Sequence, residues 1–271
     1  MSNIWFITGA GRGIGAHIAR SALEAGHRVV ATGRKVKDLE AQFADHGDRV
    51  LCLPLDVARE SQSVDAVAQA IDRFGRIDVL VNNAGYGQLG LFEEVPGTAI
   101  EAQFHTNVFG LMHVTRAALP HMRSQRRGHI FNLASIGGFM GFASSSIYCA
   151  AKFAVEGFSE SLALEVARFG IHVTVVEPGF FRTDFLDTSS VRYGDTRIAD
   201  YDDPQGAPRV DYSAYNHRQP GDPAKLGRAL VQIAAWDHPP LRFAAGSDAV
   251  AYARETFDRR QAEIAEHAAL S

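Results

Sequence analysis

Cysteine is scarce in this chain of 271 residues, which contains only Cys52 and Cys149. Both lie in apolar segments, so we expect no disulfide framework and interpret each as a small buried side chain. The eleven histidines show neither a His-Glu-x-x-His spacing nor a cluster with cysteine, the patterns that bind zinc. We therefore assign no metal site.

The sequence also lacks a charge excess and a long hydrophobic run. Its 27 basic and 31 acidic side chains give a formal net charge of −4, so neither nucleic acid nor an anionic membrane is an expected partner. No apolar run reaches the ~18 residues that span a bilayer. The chain enters an apolar strand without a basic leader, and we expect a cytoplasmic protein.

Strand and helix patterns alternate along the chain. Short apolar runs predict strands at 4–8, 28–31, 50–55, 77–82, 129–133, 172–176 and 241–245. Helical spacing of apolar residues predicts helices at 14–25, 35–44, 61–74, 98–123, 147–168, 223–236 and 248–268. The helix at 98–123 is expected to bend near Gly110 and Pro120. This alternation predicts an α/β fold, a mostly parallel sheet with helices on both faces.

One segment, residues 180–222, lacks this periodicity and is rich in Asp, Pro, Gly, Tyr and Ser. Long irregular segments of compact domains are often lids or binding loops, and we interpret this one as a substrate lid. A surface insertion without regular structure is the alternative. We expect the lid to belong to a single domain that spans residues 1–271.

A glycine-rich turn, Thr-Gly-Ala-Gly-Arg-Gly-Ile-Gly at residues 8–15, lies between the first predicted strand and a predicted helix. Glycines let the backbone approach a pyrophosphate, and the helix N-terminus offers unpaired N–H groups and a partial positive charge. In this setting the pattern indicates a dinucleotide site; a tight structural turn is the alternative. The candidate cofactor residues are Gly9, Gly11, Arg12, Gly13, Ile14 and Gly15.

Basic residues near this turn favour NADP(H). A site selective for NAD often has Asp or Glu after the second strand, but here the strand is followed by Arg34, which could pair with a 2′-phosphate. Arg12 could close on the same phosphate. We predict NADP(H) as the cofactor, with two solvated arginines as the alternative.

Two further loops follow strands at the same edge of the predicted sheet. After the third strand come Asp56 and Val57, where the carboxylate could accept a hydrogen bond from the adenine amino group or cap the next helix. After the fourth strand come Asn83, Ala84 and Gly85, small residues that let a loop lie against the cofactor. Ligands of such sheets bind beyond the carboxyl ends of the strands.

More motifs follow in a fixed order. They are NNAG at 82–85, Asn107 in TNVFG, Ser135 in NLAS, Tyr148 and Lys152 in YCAAK, and Pro178 and Gly179 in EPGF. Together with TGAGRGIG, this order resembles the short-chain dehydrogenase/reductase family over residues 4–180. The resemblance implies a Rossmann-type, doubly wound, mostly parallel seven-stranded sheet. It also implies cofactor contacts from Tyr148, Lys152, Pro178 and Gly179.

The resemblance implies four catalytic residues: Asn107, Ser135, Tyr148 and Lys152. Tyr148 and Lys152 share a helix face because they are four residues apart, and a nearby ammonium lowers the pKa of a phenol by stabilising the phenolate. Tyr148 would then act as the general acid or base, while Ser135 stabilises the charge on the carbonyl oxygen. By the family pattern, Lys152 also grips the nicotinamide ribose, and Asn107 holds a water in the proton relay.

Apolar side chains cluster in the loops after the fourth, fifth and sixth strands of the predicted sheet. They are Tyr86, Leu89, Leu91, Phe92, Phe139, Met140, Phe142, Phe180, Phe181, Phe185 and Leu186. Because pockets for organic ligands are mostly apolar, we expect a small hydrophobic ketone or aldehyde, or the corresponding alcohol. Packing in the core or between subunits is the alternative for any one of them.

Two of the predicted helices indicate self-association. The helices at 98–123 and 147–168 carry apolar residues on more than one face, and family members commonly pair these helices across subunits, so we predict a homodimer or homotetramer.

A non-catalytic dinucleotide-sensing regulator is an alternative function, although it would be expected to lack the tyrosine or the lysine. An epimerase or dehydratase with tightly held cofactor is another, although such relatives usually have a larger C-terminal region.

Overall fold

The secondary structure is taken from a computed structural model, and the structure describes residues 2–202 and 209–270. The strands are β1 (Ile4–Ile7), β2 (Arg28–Gly33), β3 (Val50–Pro54), β4 (Val79–Asn82), β5 (Gly87–Gln88), β6 (Gly128–Leu133), β7 (Ile171–Pro178), β8 (Val191–Arg192) and β9 (Arg242–Ala245). The α-helices are α1 (Gly13–Glu24), α2 (Val36–Gln42), α3 (Glu60–Phe74), α4 (Gly97–Phe104), α5 (Gly110–Gln125), α6 (Ser146–Val166), α7 (Pro223–Ile233) and α8 (Ser247–His267). Within the described ranges, no helix combines the length and the apolar character that crossing a bilayer requires.

Seven strands form one parallel sheet in the order β3-β2-β1-β4-β6-β7-β9. This confirms the predicted Rossmann-type, doubly wound α/β fold. The strand order reverses between β1 and β4, and a crevice opens at the carboxyl ends of strands where the order reverses. The glycine turn after β1 and the NNAG loop after β4 therefore meet at the edge where a ligand binds.

Alternate residues of β1 pack against opposite helical layers. Trp5 joins a core cluster with Ile18 of α1 and Leu230 of α7, whereas Phe6 joins a second cluster with Val114 of α5. This is the pattern of a parallel strand covered on both faces. Burying each large apolar side chain contributes about 1.5–3 kcal/mol, so the strand that leads into the glycine turn is held firmly.

The helix predicted over 98–123 is two helices, α4 and α5, joined by a π-helical turn at His105–Phe109. Glycine is required at position 110, because a Cβ there would lie 2.6 Å from Cγ2 of Val57. Pro120 lies inside α5. Single π-turns often mark functional sites, and this one contains Asn107.

The predicted lid, residues 180–222, contains more local structure than its sequence suggests. Strand β8 pairs with β5 in a separate two-stranded parallel sheet. Arg209 forms an ion pair with Glu94, in the loop after β5, and its Nε lies 2.8 Å from Asp202 Oδ1. These contacts fasten the described part of the segment to the loop beyond β5. Residues 203–208 of the predicted lid lie outside the described residues.

Candidate active site

The glycine turn has a backbone that side chains would disrupt. Gly9 and Gly13 have φ values of +66° and +55°, in the left-handed region that favours glycine. A Cβ on Gly15 would overlap the Asn83 side chain and the carbonyl oxygen of Gly9. Gly11 and Ile14 complete the turn, and Ile14 packs against the core. The turn therefore brings the start of α1 tightly against the loop after β4.

The NNAG loop holds the glycine turn through hydrogen bonds. Nδ2 of Asn83 donates to the carbonyl oxygens of Thr8 and Gly9, at 2.9 and 3.1 Å. The backbone N–H groups of Asn83 and Ala84 donate to Oγ1 of Thr8, at 2.9 and 3.0 Å. Asn83 and Ala84 therefore position the cofactor cradle, and Thr8 is a positioning residue that the sequence reading did not single out.

The start of α1 fits a dinucleotide pyrophosphate. No side chain among residues 2–202 and 209–270 caps its N-terminus, and its first turn contains no acidic residue. The first N–H groups of the helix thus remain available for an anion, which the helix dipole also favours. Thr183 lies beside this turn, since a Cβ on Gly13 would be 3.6 Å from the Thr183 Cβ. The sequence reading missed Thr183, because only the fold brings the lid to the glycine turn.

The two predicted phosphate-binding arginines lie in different surroundings. Arg34 is exposed directly after β2 and, in the part of the chain that the structure describes, forms no ion pair. Arg12 instead donates from Nη1 to Oγ of Ser189, at 2.6 Å, and from Nη2 to the Ser189 carbonyl oxygen, at 2.9 Å. Arg34 is therefore available to a phosphate, whereas Arg12 connects the glycine turn to the predicted lid.

The loop after β3 places Asp56 and Val57 at the same edge. Oδ1 of Asp56 accepts a hydrogen bond from the N–H of Ala58, at 3.1 Å. The carboxylate thus closes a turn ahead of α3 rather than capping the helix, whose N-cap residue is Arg59. Val57 is buried, and its carbonyl oxygen lies 3.1 Å from Nδ1 of His113 on α5. Both residues follow the carboxyl end of β3, at the sheet edge that carries the cradle.

Ser135, Tyr148 and Lys152 come together beyond β6. The side chains of Ser135 and Tyr148 both flank Gly137. A Cβ on Gly137 would lie 3.4 Å from Cε1 of Tyr148 and 3.6 Å from Oγ of Ser135. Nζ of Lys152 donates to the carbonyl oxygen of Leu133, at 2.6 Å, and lies 5.8 Å from the Tyr148 ring centroid. The predicted phenol, hydroxyl and ammonium thus form one site.

Burial dominates the acidity of this site. It raises the pKa of Tyr148 to about 12, an effect that the hydrogen bond with Ser135 offsets in part. Burial also lowers the pKa of Lys152 to about 8, an effect that the ionised form of Glu156 opposes. The structure therefore differs from the expectation of a lowered tyrosine pKa. The free-energy cost of removing the phenolate from water exceeds the stabilisation that neighbouring groups give it. The phenol is therefore protonated at neutral pH.

Asn107 is buried in the π-turn and pairs with the backbone of Tyr86. Its Nδ2 donates to the Tyr86 carbonyl oxygen, at 2.9 Å, and its Oδ1 accepts from the Tyr86 N–H, at 3.1 Å. A Cβ on Gly85 would lie 3.2 Å from Oδ1 of Asn107. The Asn107 amide thus fixes the loop after β4, and this geometry assigns a positioning role to the side chain.

The loop after β7 is held from α8. The Gly179 N–H donates to the carbonyl oxygen of Ala245, at 3.0 Å, and the Phe180 N–H donates to Oδ2 of Asp248, at 2.7 Å. A Cβ on Gly179 would overlap the Asp248 carboxylate. Pro178 ends β7, so this chain segment turns sharply toward the site.

Some of the predicted apolar side chains meet at Tyr148, and others do not. Phe185 lies 5.8 Å from the tyrosine ring, centroid to centroid. The cluster around these two rings comprises Leu89, Phe180, Leu186, Val191, Val210 and Tyr212. Phe139, Met140 and Phe142 pack instead against α8. Phe181 belongs to the main core, and Phe92 is 61% exposed.

A family model described as short chain dehydrogenase matches residues 3–193. Oxidoreductase BOA17 of Botryotinia fuckeliana (strain B05.10) is 39% identical over 258 residues, which are 93% of this chain and 92% of the relative. The 3-ketodihydrosphingosine reductase of Bacteroides thetaiotaomicron is 40% identical over 243 residues, which are 90% of this chain and 87% of the relative.

Solved structures of short-chain dehydrogenases and related reductases superpose on this chain. A short-chain dehydrogenase from Streptomyces avermitilis superposes with a TM-score of 0.91 and 38% identity, covering 100% of this chain and 98% of that chain. ElxO with NADP bound has a TM-score of 0.73 and 29% identity, covering 88% and 94%. A 3-ketoacyl-(acyl-carrier-protein) reductase from Brucella melitensis complexed with NADH has a TM-score of 0.71 and 25% identity, covering 86% and 90%. Similar proteins thus bind either dinucleotide.

Proposed function

The chain belongs to the short-chain dehydrogenase/reductase family of oxidoreductases, and we propose that it interconverts hydrophobic ketones or aldehydes and their alcohols with NADP(H). The observation that carries this proposal is the meeting of Ser135, Tyr148 and Lys152 beyond β6, at the sheet edge that also carries the glycine turn. A phenol, a hydroxyl and an ammonium beside a dinucleotide cradle are the groups that carbonyl reduction needs.

In the reductive direction, the side chains handle the oxygen of the substrate. When bound, the dinucleotide supplies the hydride that reduces the carbonyl carbon. Tyr148 gives its proton to the carbonyl oxygen as negative charge develops there, and Ser135 donates a hydrogen bond to the same oxygen. A phenol that is protonated at neutral pH suits this donation. In the oxidative direction, Tyr148 takes the proton back.

The preference for NADP(H) rests on Arg34. It follows β2, where a carboxylate would favour NAD and a cation favours the 2′-phosphate. Its exposure leaves the guanidinium available for bidentate hydrogen bonds. The NADP that is bound to ElxO supports the same assignment.

The substrate class rests on the apolar wall around Tyr148. Phe180, Phe185 and Leu186 come from residues 180–222, which we propose as a substrate lid within the single domain. An apolar wall with one hydroxyl and one phenol favours a hydrophobic carbonyl compound. The relative from Bacteroides thetaiotaomicron, a 3-ketodihydrosphingosine reductase, is named for the reduction of a ketone, which supports this proposal.

Oxidation of NADPH, followed at the nicotinamide absorbance band with a panel of hydrophobic ketones and in reverse with the alcohols, tests this function. We expect net consumption of NADPH with apolar ketones. Tight NADPH binding without turnover on any compound of the panel would instead favour a dinucleotide-sensing regulator. Conversion of a compound without net change in NADPH would favour an epimerase or dehydratase.

A further inference from the structure

Two buried glutamates, Glu156 and Glu177, lie outside the machinery described above. Glu156 follows Lys152 by four residues on α6, so the two side chains share a helix face. Glu177 is in β7, one residue before its end. The residues are 7% and 4% exposed, although glutamates are rarely buried without a partner. Such a pair requires a physical explanation.

One guanidinium serves both carboxyl groups. Nε of Arg242, on β9, lies 3.4 Å from Oε2 of Glu156 and 3.7 Å from Oε1 of Glu177. The same arginine donates from Nη2 to the exposed Glu160, at 2.8 Å. Two ionised buried glutamates on one shared cation would leave a negative charge uncompensated, which is strongly unfavourable. One proton held between the glutamates removes that charge.

The surroundings of Glu156 favour this residue as the holder of the proton, because its Oε1 is buried with no hydrogen-bond partner among the described residues. Burial raises the pKa of Glu177, although the charge of Arg242 opposes this rise. Burial first, and then the charge of Glu177, raise the pKa of Glu156 to about 8. The pair therefore carries a proton at neutral pH, whereas an ordinary carboxyl group does not.

Glu156 also faces the back of the active site. Its Oε1 is buried with no hydrogen-bond partner among the described residues. A Cβ on Gly138 would lie 3.2 Å from this oxygen and 3.2 Å from the carbonyl oxygen of Lys152. Gly138 closes the turn that begins at Ser135, through a 2.8 Å hydrogen bond. The Glu156 carboxyl group thus packs behind the serine turn and close to the backbone carbonyl of Lys152.

We propose that Glu156 and Glu177 store one proton behind the active site and supply it to Lys152 during carbonyl reduction, an inference that rests on the proposed function. Tyr148 loses a proton to the alkoxide, and the Lys152 ammonium restores it. The Glu156 carboxyl then reprotonates the Lys152 amine, and solvent returns a proton to the pair. The hydride carries both electrons, so one proton is consumed for each carbonyl reduced.

Infrared difference spectra of the cofactor-free protein between about pH 6 and about pH 9 test the stored proton, because ordinary carboxyl groups are fully ionised across that range. We expect the wild-type protein to lose one protonated-carboxyl band as the pH rises. Glu156→Gln should abolish this band, whereas the matched control Glu160→Gln, at the exposed end of Arg242, should retain it. A wild-type spectrum without the band would overturn the proposal.

The pH profile of ketone reduction tests the supply of that proton. Glu156→Gln should lower kcat about a hundredfold, at the low end of general-acid effects, with KM for the ketone and NADPH affinity unchanged. Glu177→Gln should move the descending limb of the profile to lower pH, because Glu156 then loses a like-charged neighbour. Glu160→Gln should keep the wild-type profile.

The relay would be overturned if Glu156→Gln and Glu177→Gln both kept the wild-type kcat and pH profile for ketone reduction. A wild-type protein without turnover would contradict the proposed function instead, while the infrared band would still report the stored proton. If Glu156→Gln fails to fold, the infrared band of the wild-type protein still tests the stored proton, and the pH profile of Glu177→Gln still tests its supply to Lys152.

Discussion

Arg34 is the single residue on which the cofactor preference depends most directly. Replacing it with alanine removes charged hydrogen bonds to the 2′-phosphate, each worth about 1.5–3 kcal/mol. KM for NADPH should therefore rise about ten- to a hundredfold, while KM for NADH should stay the same. Steady-state kinetics at low salt measure both constants.

Arg28 provides the matched control for Arg34. It is also exposed and lies at the opposite end of β2, so Arg28→Ala should leave the preference for NADPH intact. Equal Michaelis constants for NADPH and NADH in the wild-type protein would contradict the assignment.

Residue types were easier to predict than residue environments. The sequence motifs identified Ser135, Tyr148 and Lys152, which the fold brings together. The direction of the Tyr148 pKa was not predictable, because its burial depends on contacts with side chains such as Phe185, from a segment without regular periodicity. The contact between Arg12 and Ser189 likewise joins residues 177 positions apart.

At the scale of elements, the junction of β1 and α1 depends on close contact with the NNAG loop. A Cβ added by Gly15→Ala would overlap Asn83 and displace the glycine turn. Overpacking of this kind costs about 1–3 kcal/mol, and we expect the Kd for NADPH to rise about ten- to a hundredfold. Quenching of protein fluorescence on titration with NADPH measures this.

Gly97→Ala is the control for the glycine substitution. Gly97 begins α4 and would place its Cβ in open space, so NADPH affinity should match that of the wild-type protein. Wild-type affinity in Gly15→Ala as well would contradict the cradle assigned to the glycine turn.

Long periodic elements were predictable, and short ones were not. The seven strands of the main sheet follow from apolar runs, since a parallel strand is buried on both faces. The two-residue strands β5 and β8 carry no periodicity that a sequence could reveal. The π-turn at His105–Phe109 interrupts a stretch whose apolar spacing predicts one continuous helix.

At the scale of the whole molecule, exposed apolar side chains on the helices around the site point to self-association. Phe109, next to α5, is 44% exposed, and Phe153 and Leu164 of α6 are 40% and 80% exposed. Apolar side chains of this size that are exposed on neighbouring helices are candidates for burial between subunits. We predict two or four copies of the 29.4 kDa chain by light scattering, and a monomeric mass at micromolar concentration would contradict this.

The buried pair of Glu156 and Glu177 also belongs to this scale, because it exists only where α6, β7 and β9 meet. Sequence reading does not place Arg242 beside them, since the pairing of β9 with β7 brings the arginine there. Sequence motifs therefore identify the reactive side chains, whereas the charged groups around those side chains depend on which strands are neighbours in the sheet.

Paired measurements of NADPH binding and ketone reduction in Tyr148→Phe test the central claim, that the Tyr148 hydroxyl transfers the proton. The phenylalanine ring keeps the packing against Phe185 and removes only the hydroxyl. We predict a kcat that falls by roughly 10²–10⁴-fold, with the Kd for NADPH nearly unchanged. Full turnover in a variant that binds NADPH normally would contradict the assignment.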